Sequence, residues 1–506
     1  MNTGKDLASL KEKGAEIQLL AHTIAVLNWD QETNMPPKAI DERSEQISLV
    51  EGILHEKTTD PEIGELFEKL GVTDRQPGGM ETLPEVDRAF LKRFYRNYRR
   101  KVKLPKRLVT ELAGEVSKAQ SIWATAKSKS DFSLFAPQLE TVFKLVLEKA
   151  ECIGYEEHPY DALLDEFEPF ATTAKVADVF NRLKPSLTAL VRKIHGKPQI
   201  DDSFLEKEYP VGKQEEFGTF ILKEMGYDFK RGRLDVSAHP FTTTLGRDDV
   251  RLTTRYRSDY FKTGLFGIIH ECGHGLYELG FSERIKGNLL ADGASLGIHE
   301  SQSRTWENII GRSLPFWKRY YQDLKKMFPD NLGTVSLENF YKAINKVIPS
   351  FIRIEADEVT YNLHIILRFE LETALVAGDI SVKDLPEAWR SASRELFGIT
   401  PDKDADGVLQ DIHWSSGLLG YFPTYTLGNL YGAQFYSVLR KDIPGIDDEI
   451  STGRLRTVLN WLHENIHTHG SIYSADELCK RVSGLPLNPD YFLTYLDSKY
   501  SDIYEL

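Results

Sequence analysis

Cysteine is scarce in this chain. The three that occur in 506 residues, Cys152, Cys272 and Cys479, lie far apart with no Cys-x-x-Cys spacing. A disulfide framework and a thiolate zinc cluster are both excluded, and a reducing, cytoplasmic setting is expected. Surplus positive charge is also missing, since 63 Lys and Arg face 76 Asp and Glu for a net charge of −13. A general binder of nucleic acid or anionic membrane is thereby excluded. The one basic run, RFYRNYRRKVK at 93–103, reads as a solvated helix face. No stretch approaches the roughly 20 apolar residues needed to cross a bilayer. The polar start MNTGKDLASLKEKG lacks the apolar centre of a signal peptide. Internal repeats, low-complexity tracts and flexible linkers are absent too, so residues 1–506 read as one continuous domain.

What remains is ordinary globular composition, 41% hydrophobic and 27% charged. Apolar residues recur at helical spacing over 6–28, 39–55 and 61–70, over 84–102, 105–127 and 134–151, and again over 173–195 and 213–225. A loop is expected at 75–83, around Pro77-Gly78-Gly79. The texture changes over 226–257, where Thr, Val, Tyr and Phe alternate with Gly and Asp turns; two or three short strands are expected there. Helical patterning returns after Asp292, including 294–311, 353–376 and 415–439. The fold class is mainly α, a large helical body with a small β-sheet.

That sheet leads into GLFGIIHECGHGLYELG, residues 264–280. On a helix His270 and His274 stand one turn apart on one face, with Glu271 beside them and an apolar stripe (Leu265, Ile268, Ile269, Cys272, Leu276, Leu279) opposite. Two imidazoles at this spacing suit Zn²⁺, whose catalytic sites use three protein ligands and an open position. Glu271 could reach a water there without ligating the metal. A second copy of the pattern, His463-Glu464-Asn465-Ile466-His467, shows that the motif alone decides nothing. The third ligand decides. Glu300, 26 residues beyond His274 in a helical stretch, can bring a carboxylate beside the first pair. The second pair runs straight into His469-Gly470 and reads as the polar end of a helix. His299 points about 100° away from Glu300 and is expected behind the ligand set.

Five ordered motifs carry a wider resemblance: DVRLT (249–253), HECGH (270–274), HESQ (299–302), IRIEAD (352–357) and GVLQDIHW (407–414). With WDQET (29–33) and LNPDYF (487–492) at the extremes, the chain resembles the carboxypeptidase Taq family of zinc metallocarboxypeptidases over essentially its whole length. The resemblance implies a mostly helical fold with a long substrate groove, a homodimer, and release of single amino acids from the free C-terminus of peptides. One divalent metal per chain is implied, held by His270, His274 and Glu300. Zn²⁺ is the first choice, and Co²⁺ or Mn²⁺ also suit these donors. Glu271 would be the general base. His413 is the leading oxyanion donor, with Tyr421 or Tyr425 in support, by analogy with other helical metallopeptidases. A free carboxylate calls for a fork-shaped cation, Arg353 first and Arg251 second; the structural alternatives are ion pairs with Asp357 and Asp249. Asp249, Asp357 and Asp411 could instead orient the metal histidines. Two other readings stand beside this one: a zinc oligopeptidase or dipeptidyl carboxypeptidase, and a non-catalytic helical scaffold that binds peptides.

Overall fold

Helix follows helix along almost the whole chain in the computed structural model, which describes residues 3–76, 78 and 81–506. Residues 77, 79 and 80 of the expected loop lie outside that set. Ten elements build the site. They are α1 (Thr3–Thr33), α2 (Pro159–Phe167), β1 (Leu234–Val236), β2 (Thr242–Gly246), β3 (Asp249–Thr254), α3 (Phe261–Leu279), α4 (Leu296–Arg304), α5 (Thr360–Ala377), α6 (Pro423–Asp442) and α7 (Leu455–Asn465). A connected core of buried apolar side chains extends from Leu7 to Tyr504. No helix among the described residues is long and apolar enough to cross a membrane.

The three strands make one small sheet in the order β1-β3-β2, with β1 parallel and β2 antiparallel to β3. Strand alternation sorts its residues by face. Leu252 pairs with Thr242, is fully buried, and lies against α3, where a Cβ on Gly275 would come 2.8 Å from Leu252 Cδ2. Arg251 pairs with Thr243 on the opposite face and lies over the Trp29 ring of α1 at 4.2 Å. The sheet is thus a wedge between α1 and α3.

Helix α3 is buried nearly all round rather than on one stripe, and even Glu271 is inside. Its glycines explain how neighbours come so close. A Cβ on Gly273 would stand 2.6 Å from the Ser303 Cα of α4. Glycine weakens a helix by up to about 1 kcal/mol, and here it admits a backbone crossing that no other residue could. Gly428 does the same on α6, where a Cβ would meet Glu300 Cγ at 2.5 Å. Helix α4 is therefore clamped between α3 and α6.

Two expected helices start later than their periodicity predicts. Asp357 accepts the N–H groups of Val359 (2.9 Å) and Thr360 (3.0 Å), so α5 begins at Thr360 and Arg353–Glu355 forms a separate 3-10 turn. Residues 415–422 remain irregular, and α6 starts at Pro423, a residue suited to a first turn.

Candidate metal centre and its surroundings

The crossing of α3 and α4 brings His270, His274 and Glu300 together, with one potential ligand atom from each lying within 4.8 Å of the others. Glu300 Oε2 is 3.7 Å from His270 Nε2 and 3.4 Å from His274 Nε2. Bonds of about 2.0–2.2 Å to a tetrahedral cation set adjacent donors about 3.3–3.6 Å apart. The His274–Glu300 spacing falls within that range and the His270–Glu300 spacing about 0.1 Å beyond it, and the donor chemistry fits a divalent ion. No other cluster of this kind occurs among the described residues. The second motif does not form one. Helix α7 stops at Asn465, and His467, expected at a polar helix end, is fully buried, with Nε2 2.9 Å from Gln302 Oε1.

The opposite nitrogens of both histidines are occupied, and this fixes which way their lone pairs face. His270 Nδ1 lies 2.9 Å from Glu307 Oε2. A carboxylate only accepts, so Nδ1 carries a proton, and in the neutral ring the Nε2 lone pair faces Glu300. For His274 the control is indirect. Glu278 Oε1 is 2.8 Å from His299 Nε2, which places the His299 proton on Nε2. In the neutral His299 ring, Nδ1 then accepts from His274 Nδ1 at 2.5 Å, leaving His274 Nε2 free. Thr244 donates to Glu278 Oε2 at 3.0 Å and anchors the relay to β2. His299 thus stands behind the ligand set, and Glu278 and Glu307 do what Asp249, Asp357 and Asp411 were candidates for. Asp249 instead pairs with Arg251 at 2.8 Å, Asp357 starts α5, and Asp411 holds two arginines.

Charge balance keeps the cluster ready for a cation. Arg304 donates to Glu300 Oε1 at 2.7 Å and to Glu307 Oε2 at 3.0 Å, while its guanidinium lies 4.6 Å from the Tyr361 ring centre. Burial alone would raise the Glu300 carboxyl, but Arg304 and the histidines hold it well below the usual range. Glu307 is brought down to about 2 against its own burial by Arg304 and His270. Burial, with His299 nearby, pushes His274 down to about 3, so its imidazole is neutral. Burial moves Glu271 the other way, upward, although His270 and the Thr242 hydroxyl oppose it. That hydroxyl donates to Glu271 Oε2 at 2.7 Å and lies 2.8 Å from the residue's own carbonyl oxygen. The sheet thereby aims the carboxylate.

A second group gathers where α5, α6 and the irregular segment 407–422 meet. His413 Nε2 lies 3.3 Å from the Tyr425 hydroxyl, and the Tyr421 ring is centred 5.3 Å from the imidazole. Burial lowers His413 to about 4, so it is neutral near pH 7. Tyr425 precedes Gly428 by one turn on the face of α6 that meets Glu300. Arg353 is 5% exposed. It donates to Asp411 Oδ1 through Nε (3.0 Å) and one Nη (2.7 Å), and to the Tyr361 hydroxyl (3.0 Å) through the other. Its partner is therefore Asp411, not Asp357. Three of the five N–H bonds of a guanidinium are used, leaving one on each Nη. Tyr361 joins the two groups, touching both Arg304 and Arg353.

Sequence reasoning missed Glu278, Arg304, Glu307 and Tyr361. A signal existed for three of them: His270, His274 and Glu278 recur every fourth residue, and Glu300, Arg304 and Glu307 stand at i, i+4 and i+7 in an otherwise uncharged run.

Comparison with known proteins gives concordant matches. The family described as carboxypeptidase Taq (M32) metallopeptidase matches residues 9–500. The chain is 43% identical to thermostable carboxypeptidase 1 of Thermus thermophilus, with 98% of each chain covered. It is 41% identical to carboxypeptidase 1 of Bacillus subtilis, with 96% of each covered. The solved M32 carboxypeptidase of Deinococcus radiodurans superposes with a TM-score of 0.95 at 35% identity, covering 99% of this chain and 100% of that one.

Proposed function

This chain belongs to the carboxypeptidase Taq (M32) family of metallopeptidases, and from that premise we propose that it hydrolyses the last peptide bond of peptides with a free C-terminus, releasing one amino acid at a time. The observation that carries the reading is the convergence of His270 Nε2, His274 Nε2 and Glu300 Oε2, with a fourth group, Glu271, held beside them and outside the ligand set. Structural zinc sites are closed by four protein ligands; three ligands with an adjacent carboxylate are the pattern of a hydrolytic site. That argues against a mere scaffold.

A divalent cation in this site, Zn²⁺ by first preference and Co²⁺ or Mn²⁺ by donor type, supplies Lewis acidity that polarises a carbonyl and acidifies water near neutral pH. The protein's own groups do the rest. Glu271, raised by burial and steered by Thr242, is suited to take a proton from water and return it to the leaving amine. His413 and Tyr425, linked at 3.3 Å, offer hydrogen-bond donors for the oxyanion of the tetrahedral intermediate, with Tyr421 next to both. The two free N–H bonds of Arg353 lie one on each Nη, the fork that binds a carboxylate bidentately. Asp411 and Tyr361 hold that fork rigid, which limits the entropy lost when substrate docks. Arg251, on the far face of the sheet with Asp249 and Trp29, is left a structural role.

The test is product analysis by mass spectrometry on one peptide in free-acid and amidated forms. Stepwise loss of single residues from the free acid alone is expected. Equal cleavage of the amide, or release of dipeptides, would refute the exopeptidase reading.

A further inference from the structure

The segment 407–422 carries His413 and Tyr421 without belonging to a helix or strand, apart from short turns. The imidazole itself has a single hydrogen bond to protein, the 3.3 Å contact with Tyr425. Something else must fix it, and the anchors lie on either side. Before it, Asp411 is gripped by Arg353 and by Arg368 of α5. After it, Trp414 Nε1 donates to Oε1 of Glu372 at 2.8 Å, and the Gly420 N–H donates to Oε2 at 3.0 Å. Arg368 and Glu372 are one turn apart on α5, so a single helix face holds the segment both before and after the imidazole.

We propose that Glu372 is a positioning residue for the reaction: its carboxylate ties Trp414 and Gly420 to α5 and thereby sets where His413 and Tyr421 present their polar atoms. This rests on the oxyanion role given above to His413.

The geometry leaves little slack. Glu372 is fully buried, and a third donor, the Tyr160 hydroxyl of α2, reaches Oε2 at 2.6 Å. Gly420, immediately before Tyr421, has φ +90°. A Cβ there would lie 2.7 Å from the backbone of Leu163 and Leu164, so the strand of chain leading to Tyr421 runs directly against α2. Only a carboxylate has two acceptor oxygens, one for the Trp414 side and one for the Gly420 side; an amide has one oxygen and a donor group that would face an N–H. Burial raises the carboxyl to about 7 even with three donors opposing it. An apolar side chain would fill the same space without that penalty, which argues for a role beyond packing.

The experiment is a double-mutant cycle read as kcat, KM and metal content on the free-acid peptide. Glu372→Gln is expected to lower kcat about 10- to 100-fold, the scale of a displacement near 1 Å at a reacting group, with KM within about twofold and metal content unchanged. Trp414→Phe removes one of the two tethers from the other end and should reproduce part of the loss in a protein that retains the carboxylate. In a His413→Ala background, Glu372→Gln should cost clearly less than in the wild type, because only Tyr421 is left for it to position. Full additivity of the two losses, or a loss that tracks metal content, overturns the inference while leaving the role of His413 standing. If His413→Ala alone leaves kcat intact, both fall together.

Discussion

Removal of Glu307 probes the metal centre without touching a ligand. Its Oε2 receives the His270 Nδ1 proton at 2.9 Å and an Arg304 N–H at 3.0 Å, and its Oε1 lies 3.3 Å from Arg312. Glu307→Ala strands the imidazole N–H and frees the ring to turn, so Nε2 no longer has to face Glu300. It also leaves Arg304 with Glu300 as its one carboxylate, drawing negative charge away from the cation. Loss of such a supporting partner typically costs 10- to 100-fold in metal affinity, or about 1.4–2.7 kcal/mol. Glu307→Gln keeps an acceptor oxygen for Nδ1 but loses the charge, so it should fall near the tenfold end and the alanine variant near the hundredfold end. Competition against a chelator of known affinity measures the ratio directly. Equal metal affinity in wild type and both variants would refute the argument that Glu307 fixes the His270 tautomer.

Glu271→Gln should keep full metal content while kcat drops about 10²–10⁴-fold, the usual weight of a general base; loss of metal instead would reassign Glu271 as a ligand. Tyr425→Phe should cost kcat about 10²–10³-fold with KM nearly constant if its hydroxyl meets the oxyanion, and an equal rise in KM would place it in ground-state binding. Glu168 gives a pH test of stability. Burial raises this carboxyl from 4.5 to about 7, beside the Gly297 N–H at the start of α4 at 3.0 Å. The folded protein therefore binds a proton between those values that the unfolded chain has released, so the stabilising contribution is present at pH 4.5 and is lost as pH rises through 7. Glu168→Gln should have a melting temperature that gains on wild type from pH 5 to pH 8, equivalent to at most about 3 kcal/mol; a gap independent of pH would refute the assignment. Prolonged dialysis against a chelator should abolish turnover, and a divalent ion should restore it; activity that survives full metal removal contradicts the site.

The cluster of candidate ligands was legible because α-helical periodicity alone stacks His270 on His274, and because few carboxylates downstream could join them. The small sheet was legible from its threonines and turns. Its purpose was not: Thr242 reaches Glu271, and Thr244 reaches Glu278, only because β2 pairs with β3 in a register that sequence does not reveal. The Arg353 partner went wrong for a local reason. An i+4 pairing with Asp357 presumes a continuous helix, whereas Asp357 spends its side chain starting α5 and leaves Arg353 on a 3-10 turn facing Asp411. His467 is the converse case, a polar residue at the close of a helix that tertiary packing buries against Gln302 and Tyr277. The relay through His299 depends on two side chains 21 residues apart meeting across the α3–α4 crossing, and that crossing exists because Gly273 has no side chain.

The central claim is that one cation is held by two turns of α3 and one carboxylate of α4. Anomalous X-ray scattering from crystals loaded with Zn²⁺ tests it most directly. One strong peak per chain is predicted, at about 2.0–2.2 Å from His270 Nε2, His274 Nε2 and a Glu300 oxygen. A peak between His463 and His467, or none within bonding distance of Glu300, would contradict the account.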